Sequence, residues 1–291
     1  MPTLRGQYLN KSNSMTASCI RNFFIVIGLF NLSVTLHAQS EPSLSVHDAV
    51  DPTFIRSRVT LDVISFIYHQ PARFYRAGFG YYYGLRNQRH QFGLEVPFVH
   101  SVFGEDLQGF ENTVGIGDIR MFYMAAFPSE HTTGLVRVAP SLELSAPTGE
   151  YILGRGAGAW LFKPGVLFSF VPHPNVSFYP EVAFQFSGKE VNTRGGSSGI
   201  PDLEDPDKNE PLSNFTLRMP AILKLESAQA WFGISALYMN SFSEKTYFLF
   251  FDTEAGIMMG DKSSAMLRLT KFVGGLPRIN IVAEAKFQFY F

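Results

Sequence analysis

INIVAEAKFQFYF occupies residues 279 to 291. Its odd positions read Ile279, Ile281, Ala283, Ala285, Phe287, Phe289 and Phe291, and its even positions read Asn280, Val282, Glu284, Lys286, Gln288 and Tyr290. Successive side chains of a strand point to opposite faces, so a period of two predicts a β-strand with one apolar and one charged face. The stretch ends on a bare Phe291.

The same alternation runs back through the chain. Val136, Val138, Leu142 and Leu144 oppose Arg137, Ser141, Glu143 and Ser145. Trp160, Phe162, Val166, Phe168 and Phe170 oppose Lys163, Gly165 and Ser169. Val182, Phe184 and Phe186 oppose Glu181 and Gln185, and Leu249, Phe251, Ala255 and Ile257 oppose Asp252 and Glu254. Twelve such segments start near residues 56, 74, 89, 113, 134, 158, 175, 213, 229, 246, 263 and 279, most of them 12 to 15 residues long. The first two and the eleventh alternate most weakly. Strands of globular proteins are commonly about 5 to 6 residues, whereas a tilted strand crossing a bilayer needs about 9 to 11.

Connections sort by parity. The even ones read RNQ, PSEHTT, PHPN, SAQ and GDK; the odd ones include SVFGEDLQGFEN, PTGEYILGRGAG and a long segment over 188–212. Two odd connections, near HQPAR and GGLPR, are short. Short periplasmic turns and longer extracellular loops are the pattern of outer-membrane barrels. In lipid each backbone donor and acceptor must pair internally, so the strands must close. The expected fold is all-β: a transmembrane antiparallel β-barrel of about 12 strands over 56–291, with both ends periplasmic. Phe127, Phe170, Phe178 and Phe291 then fall at the periplasmic ends as an aromatic girdle. A buried edge strand in a periplasmic sandwich is the competing reading of the terminal segment.

Composition agrees. Of 291 residues 15% are aromatic, including 29 Phe, and only 17% are charged, against roughly 25% in soluble domains. FFIVIGLFNLSVTL (23–36) is the one long apolar run; it follows Lys11 and Arg21 and precedes HAQS, and no acidic residue occurs before Glu41. This predicts a secretory signal peptide over 1–38, cut near Ala38 or Ser40, with Met15 a candidate start; an N-terminal anchor helix is the alternative. A periplasmic segment over 39–55 follows. Cys19 falls within the signal, so the mature chain has no cysteine and no disulfide. Removing Arg5, Lys11 and Arg21 leaves 21 basic against 25 acidic residues, a net charge of about −4, and no basic excess points to nucleic acid. The expected partners are outer-membrane lipid, the barrel assembly machinery and a small-molecule solute.

Inward parity selects lumen candidates. The acidic ones are Asp62, Asp118, Glu143, Glu181, Glu226, Asp252, Glu254 and Glu284; the basic ones are Arg76, Arg120, Arg137, Lys163, Arg218, Lys224, Arg268 and Lys286. They line a polar pore or close the lumen by mutual pairing, and twelve strands favour a narrow passage. Tyr82, Phe122, Tyr179, Phe248, Phe250 and Tyr290 share that parity and fit an aromatic solute or simple packing. Gly115 and Gly117 relax the strand at the rim or admit a close neighbour, with Asp118 aimed inward beside Arg120. Pro147, Thr148 and Gly149 suit a turn with positive φ at the glycine. GRGAG lacks the βαβ context of a nucleotide site.

VGIGDIRMFYMAAF (114–127), PSLELSAPTGE (140–150), GRGAGAWLFKPGVLFSF and VSFYPEVAFQFSG together resemble the meta-pathway phenol-degradation channel/transporter family of outer-membrane β-barrels. In that family a Gly-x-Gly-Asp opens one strand and the next ends in Pro-Thr-Gly before a Gly-rich loop. The resemblance spans Val114 to Gly188, about a quarter of the chain, and implies a channel for a small aromatic or hydrophobic solute. A phenylalanine-ended final strand is likewise similar to the signal read by the barrel assembly machinery, which gives Phe291 an insertion role.

Two other classes remain open. A twelve-stranded outer-membrane phospholipase needs a His and a Ser near the outer rim, where His100-Ser101 is the one candidate, without an identifiable third group. A structural or adhesin barrel would act through loop 188–212, whose DLEDPDKNE fits a solvated loop better than a cation site. No Cys, His or carboxylate cluster has metal spacing, so no metal and no cofactor is expected.

Overall fold

Period-two alternation becomes strand all along the chain. The computed structural model describes residues 44–68, 72–103, 112–129, 134–150, 155–192, 209–243, 245–275 and 279–291. The expected leader and most of loop 188–212 lie outside the described residues. A one-turn helix, α1 (Val46–Val50), is capped by Ser45, whose hydroxyl accepts from the Asp48 backbone N–H. Twelve strands follow: β1 (Arg58–Tyr68), β2 (Ala72–Gly84), β3 (His90–Phe103), β4 in three pieces (Thr113–Ile116, Arg120–Ala125, Phe127–Pro128), β5 (Leu135–Ser145) and β6 (Leu161–His173). β7 comes in two pieces (Val176–Phe178, Glu181–Asn192), and β8 (Asn209–Leu225), β9 (Ala230–Ser241), β10 (Thr246–Met258), β11 (Ser263–Gly275) and β12 (Ile279–Tyr290) complete the set. No helix among the described residues is long and apolar enough to cross a membrane.

Each strand pairs antiparallel with its neighbour in sequence, and β12 pairs with β1 from Arg58↔Tyr290 to Tyr68↔Ile279. That last ladder closes the sheet into a twelve-stranded barrel without a free edge. The interruptions have local causes. Pro180 has no N–H to give and splits β7, although its carbonyl still accepts from Phe168 N at 2.9 Å. β4 breaks at Gly117–Ile119, where the chain turns aside to meet the β5–β6 connection.

The two faces separate residue by residue. Asp62 is 4% exposed and Val63 next to it is 56% exposed. Phe184 and Ile257 are exposed on the outer wall, as are Leu94, Met219, Phe232 and Leu267. Water would not tolerate so large an apolar belt on a folded protein, so the outer wall is the lipid-facing one. Phe127 and Phe178 are exposed at the short-turn end, beside Phe170, which faces Phe178 across the β6–β7 ladder. One alternation is corrected. Ile279 belongs by parity to the outer face, but a bulge between Ile67 and Tyr68 skips Asn280, pairs Tyr68 with Ile279 and turns Ile279 inward.

The segment before β1 is not a free tail. Leu44 and Val46 are buried against Tyr179, Ile222, Trp231, Met258 and Tyr290. Ile55 packs with Met124, Ala126 and Ala139. All of these wall residues face inward, so residues 44–57 lie inside the barrel at its short-turn end.

Val63 is the central residue of β1 and faces lipid. Val63→Arg is expected to destabilise the barrel by about 2–4 kcal/mol, read as the urea midpoint of refolding into lipid vesicles. An unchanged midpoint would contradict the assigned faces.

Candidate functional site

The lumen has three levels, and the middle one is a ring of charge. Going round the barrel, β1 supplies Asp62, β2 Arg76, β3 Glu95, β4 Arg120, β5 Glu143, β6 Lys163, β7 Glu181 and β8 Arg218. β9 supplies the neutral Ser235, β10 Asp252 and Glu254, β11 Arg268, and β12 Glu284 with Lys286. The sign alternates from strand to strand, save at the neutral β9 and at β12, which carries both signs beside Asp62 of β1. Cross-strand register sets Glu95 opposite Arg120, Glu143 opposite Lys163, Glu181 opposite Arg218, Arg268 opposite both Glu254 and Glu284, and Asp62 opposite Lys286.

Ion pairs run along this ring. Arg76 lies 3.1 Å from Asp62 and 3.5 Å from Glu95. Arg120 pairs with Glu95 and stands 3.6 Å from Glu143. Lys163 meets Glu181 at 3.4 Å. Arg218 reaches past the small Ser235 to Asp252 at 2.9 Å. Arg268 bridges Glu254 at 2.8 Å and Glu284 at 3.1 Å, and Lys286 adds a 3.7 Å contact to Glu284. Gly78 and Gly233 give the side chains room to lie along the wall, because a Cβ there would strike Asp62 and Glu254. A charge removed from water is tolerated when it is paired and hydrogen-bonded. The ring is not uniformly dry: Glu143, Lys163 and Lys286 keep 29%, 31% and 31% of their side-chain surface exposed.

Above the ring, toward the long loops, the lumen turns apolar. Tyr68, Phe74, Phe248, Phe250 and Ile279 form a buried cluster with Phe66, Leu237 and Phe272 around it. The aromatics that share inward parity do not converge. Phe248 and Phe250 belong to this upper cluster, Tyr82 and Phe122 pair edge to face at 6.0 Å, and Tyr179 and Tyr290 touch the inserted N-terminal segment.

The motif residues build a knot at the same upper end. Asp118 is fully buried and accepts from Gly149 N at 2.9 Å and Ala157 N at 2.7 Å. The Thr148 hydroxyl donates to Gly117 O and accepts from Ile119 N, both at 2.9 Å. Arg155 pairs with Glu150 and donates to Val114 O at 2.9 Å. Arg155 is the close neighbour that Gly115 and Gly117 admit: a Cβ at 115 would strike its guanidinium, and one at 117 would stand 3.1 Å from its carbonyl oxygen. Two expectations are corrected. Asp118 does not open onto the lumen beside Arg120, because two backbone N–H groups hold its carboxylate in the knot. Gly149 is required by a close approach to the Arg155 carbonyl and not by positive φ, which it lacks.

The lower level is the inserted segment and its anchors. Asp51 accepts from Arg137 Nη1 and Ser169 Oγ, both at 2.9 Å, and from Thr53 N at 2.8 Å. Lys224 Nζ lies 3.2 Å from His47 Nδ1. Gln91 Nε2 donates to Arg56 O at 2.8 Å. Arg137 and Lys224 therefore hold the segment and stand apart from the ring. Glu226 lies in the exposed turn after β8.

Of the ring, Glu95 escaped sequence reasoning, because Pro97 and the aromatic outer face of β3 mask its alternation. Sorting inward charges by strand number would have found it. His100 and Ser101 point to opposite faces of β3, His100 outward and exposed, Ser101 inward and fully buried, so they form no nucleophile–base pair. Among the described residues no group of three or more metal-ligating side chains assembles.

Burial and the neighbouring Lys224 hold the His47 imidazole below its ordinary pKa of 6.5, and Asp51 and Asp48 oppose them. The docked segment therefore favours neutral His47. Its hold is full above about pH 6.5 and weakens as the pH falls toward the depressed value. Amide protection over residues 44–57, corrected for the intrinsic exchange rate at each pH, is expected to fall between about pH 7.5 and 5, and His47→Gln to flatten that dependence. In the knot, Asp118→Ala removes the acceptor of two buried backbone donors, and a loss of about 3 kcal/mol or more is expected, read by urea unfolding. Equal stability of the variant would show the knot to be incidental.

No protein-family model matches the chain, and no curated protein matches it. Solved structures do. The chain is similar to an outer membrane channel from Pseudomonas putida F1, with a TM-score of 0.65 at 10% identity over 81% of this chain and 96% of that one. It is also similar to the NanC porin, with a TM-score of 0.51 at 10% identity over 79% and 98% of the two chains. At such identity the likeness is one of fold: a closed twelve-stranded antiparallel barrel.

Proposed function

We propose that the chain is a bacterial outer-membrane channel that passes a small solute by passive diffusion. One observation carries this reading: the lumen holds a ring of alternating charges that is partly open to solvent on β5, β6 and β12. A lumen sealed by mutual ion pairing would bury all of its charges away from water. Charges that stay hydrated inside a barrel offer replacement contacts to a desolvating solute. The fold shared with an outer membrane channel supports the location and the class.

The levels support a solute class. A solute arriving from the long-loop side meets the cluster of Tyr68, Phe74, Phe248 and Phe250 before it meets charge. That order suits a molecule with an aromatic or hydrophobic body and a polar group. The resemblance to the meta-pathway phenol-degradation family supports the same class. The ring contains seven carboxylates and six cations, so its preference between simple anions and cations is weak. Insertion would depend on the barrel assembly machinery reading β12 and Phe291.

Liposome uptake tests this. Vesicles carrying the full chain are expected to admit a phenol-like solute faster than a sugar of similar mass, and Phe74→Ala with Phe250→Ala to narrow that difference. Equal, leak-level uptake of both solutes by the unmodified protein would refute the channel.

A further inference from the structure

The lipid-facing wall carries a second feature, independent of the lumen. Among strand residues whose side chains are described, only two permanent charges point outward, Arg73 and Lys271. Both are cations, both are exposed, and both lie toward the long-loop end. They share one register row: Lys271 of β11 faces Ile281 of β12, Ile281 faces Ile67 of β1, and Ile67 faces Arg73 of β2.

A lipid-facing cation is costly at the midplane and tolerated near the interface, so this row marks the headgroup level. Tyr75, exposed and outward two residues below Arg73, is the kind of aromatic that sits at such a boundary. The connections above the row are the shortest at that end, three residues between Tyr68 and Ala72 and three between Gly275 and Ile279. Long loops therefore do not arise over this arc of the rim. The Lys271 ammonium is steadied by the Asn280 side chain. The outer wall at the opposite end carries no matching described charge, so the asymmetry selects one leaflet.

We infer that the β11–β12–β1–β2 arc binds a phosphate-bearing glycolipid of the outer leaflet, with Arg73 and Lys271 each taking a phosphate group. Three strand spacings, about 14 Å, separate the two backbones, which suits a headgroup phosphorylated at both ends. Arg forks onto phosphate oxygens and Lys adds a point charge. The two apolar residues between them, Ile281 and Ile67, lie at the same level, under the headgroup where it meets the acyl chains. The inference rests on the outer-membrane reading above for its leaflet.

Native mass spectrometry of the full chain in detergent, titrated with bisphosphorylated lipid A and with the same lipid after phosphatase treatment, tests it. The unmodified protein is expected to hold one bisphosphorylated lipid. Arg73→Gln with Lys271→Gln should weaken binding roughly thirtyfold, about fivefold per cation. Arg73→Lys with Lys271→Arg should largely keep it, and Lys245→Gln in the β9–β10 turn should leave it unchanged. Binding of the dephosphorylated lipid equal to that of the intact one, or equal binding by the Gln double variant, would overturn the site. Uptake measured on the same preparations separates the two claims: a barrel that admits solute but holds no lipid refutes only this site, and one that holds lipid but admits no solute refutes only the channel.

Discussion

The hydrogen-bond ladder between β1 and β12 is the constraint on which the rest depends. In hydrocarbon an unpaired backbone group costs several kcal/mol, so an open sheet edge cannot persist there. Closing the sheet removes both edges at once, from Arg58↔Tyr290 to Tyr68↔Ile279. Closure also decides where each side chain goes. With one face committed to lipid, the polar half of every strand is forced into a common interior, whatever the cost of gathering it there.

That gathering sets an electrostatic problem, and the alternation of sign around the strands is its solution. Seven carboxylates and six cations enclosed together would repel if sorted by sign. Interleaved, each cation has carboxylates on neighbouring strands, as Arg120 has Glu95 and Glu143, and Arg268 has Glu254 and Glu284. The break in the alternation at Ser235 is bridged by the reach of Arg218 to Asp252. Below the ring the same logic docks a separate piece of chain. Asp51 arrives from the N-terminal segment and satisfies Arg137 and Ser169 of the wall. Residues 44–57 thereby narrow one end of the lumen, while aromatic side chains narrow the other.

Much of the fold was legible in the sequence because side-chain periodicity records the two faces directly. The terminal segment alone carries enough alternation to show a strand between two media, and loop parity adds the barrel. The details that escaped are those in which tertiary contact overrides period. Ile279 is apolar and on outward parity, yet a bulge fixed by its partner strand turns it inward. Asp118 reads as a lumen acid by position, but its fate depends on backbone N–H groups some 30 to 40 residues later. Arg155 sits in a glycine-rich loop with no period at all, although it explains why position 115 is glycine and, with Val99 and Pro97, why position 117 is. The docking of residues 44–57 is invisible to local pattern, since nothing near Asp51 announces a distant Arg137.

The levels together give the lumen a changing character: apolar at the long-loop mouth, charged in the middle and narrowed by a docked segment below. Lys163 is among the more solvent-accessible charges of the ring and has carboxylates to either side on β5 and β7. The central claim is that solutes pass along this ring. Reversal potentials across a planar bilayer with the full chain and with Lys163→Glu test it most directly. The account predicts discrete conductance steps from both, near-neutral selectivity from the unmodified chain and a clear shift toward cations in the variant. The same reversal potential from both proteins, or no steps at all, would contradict it.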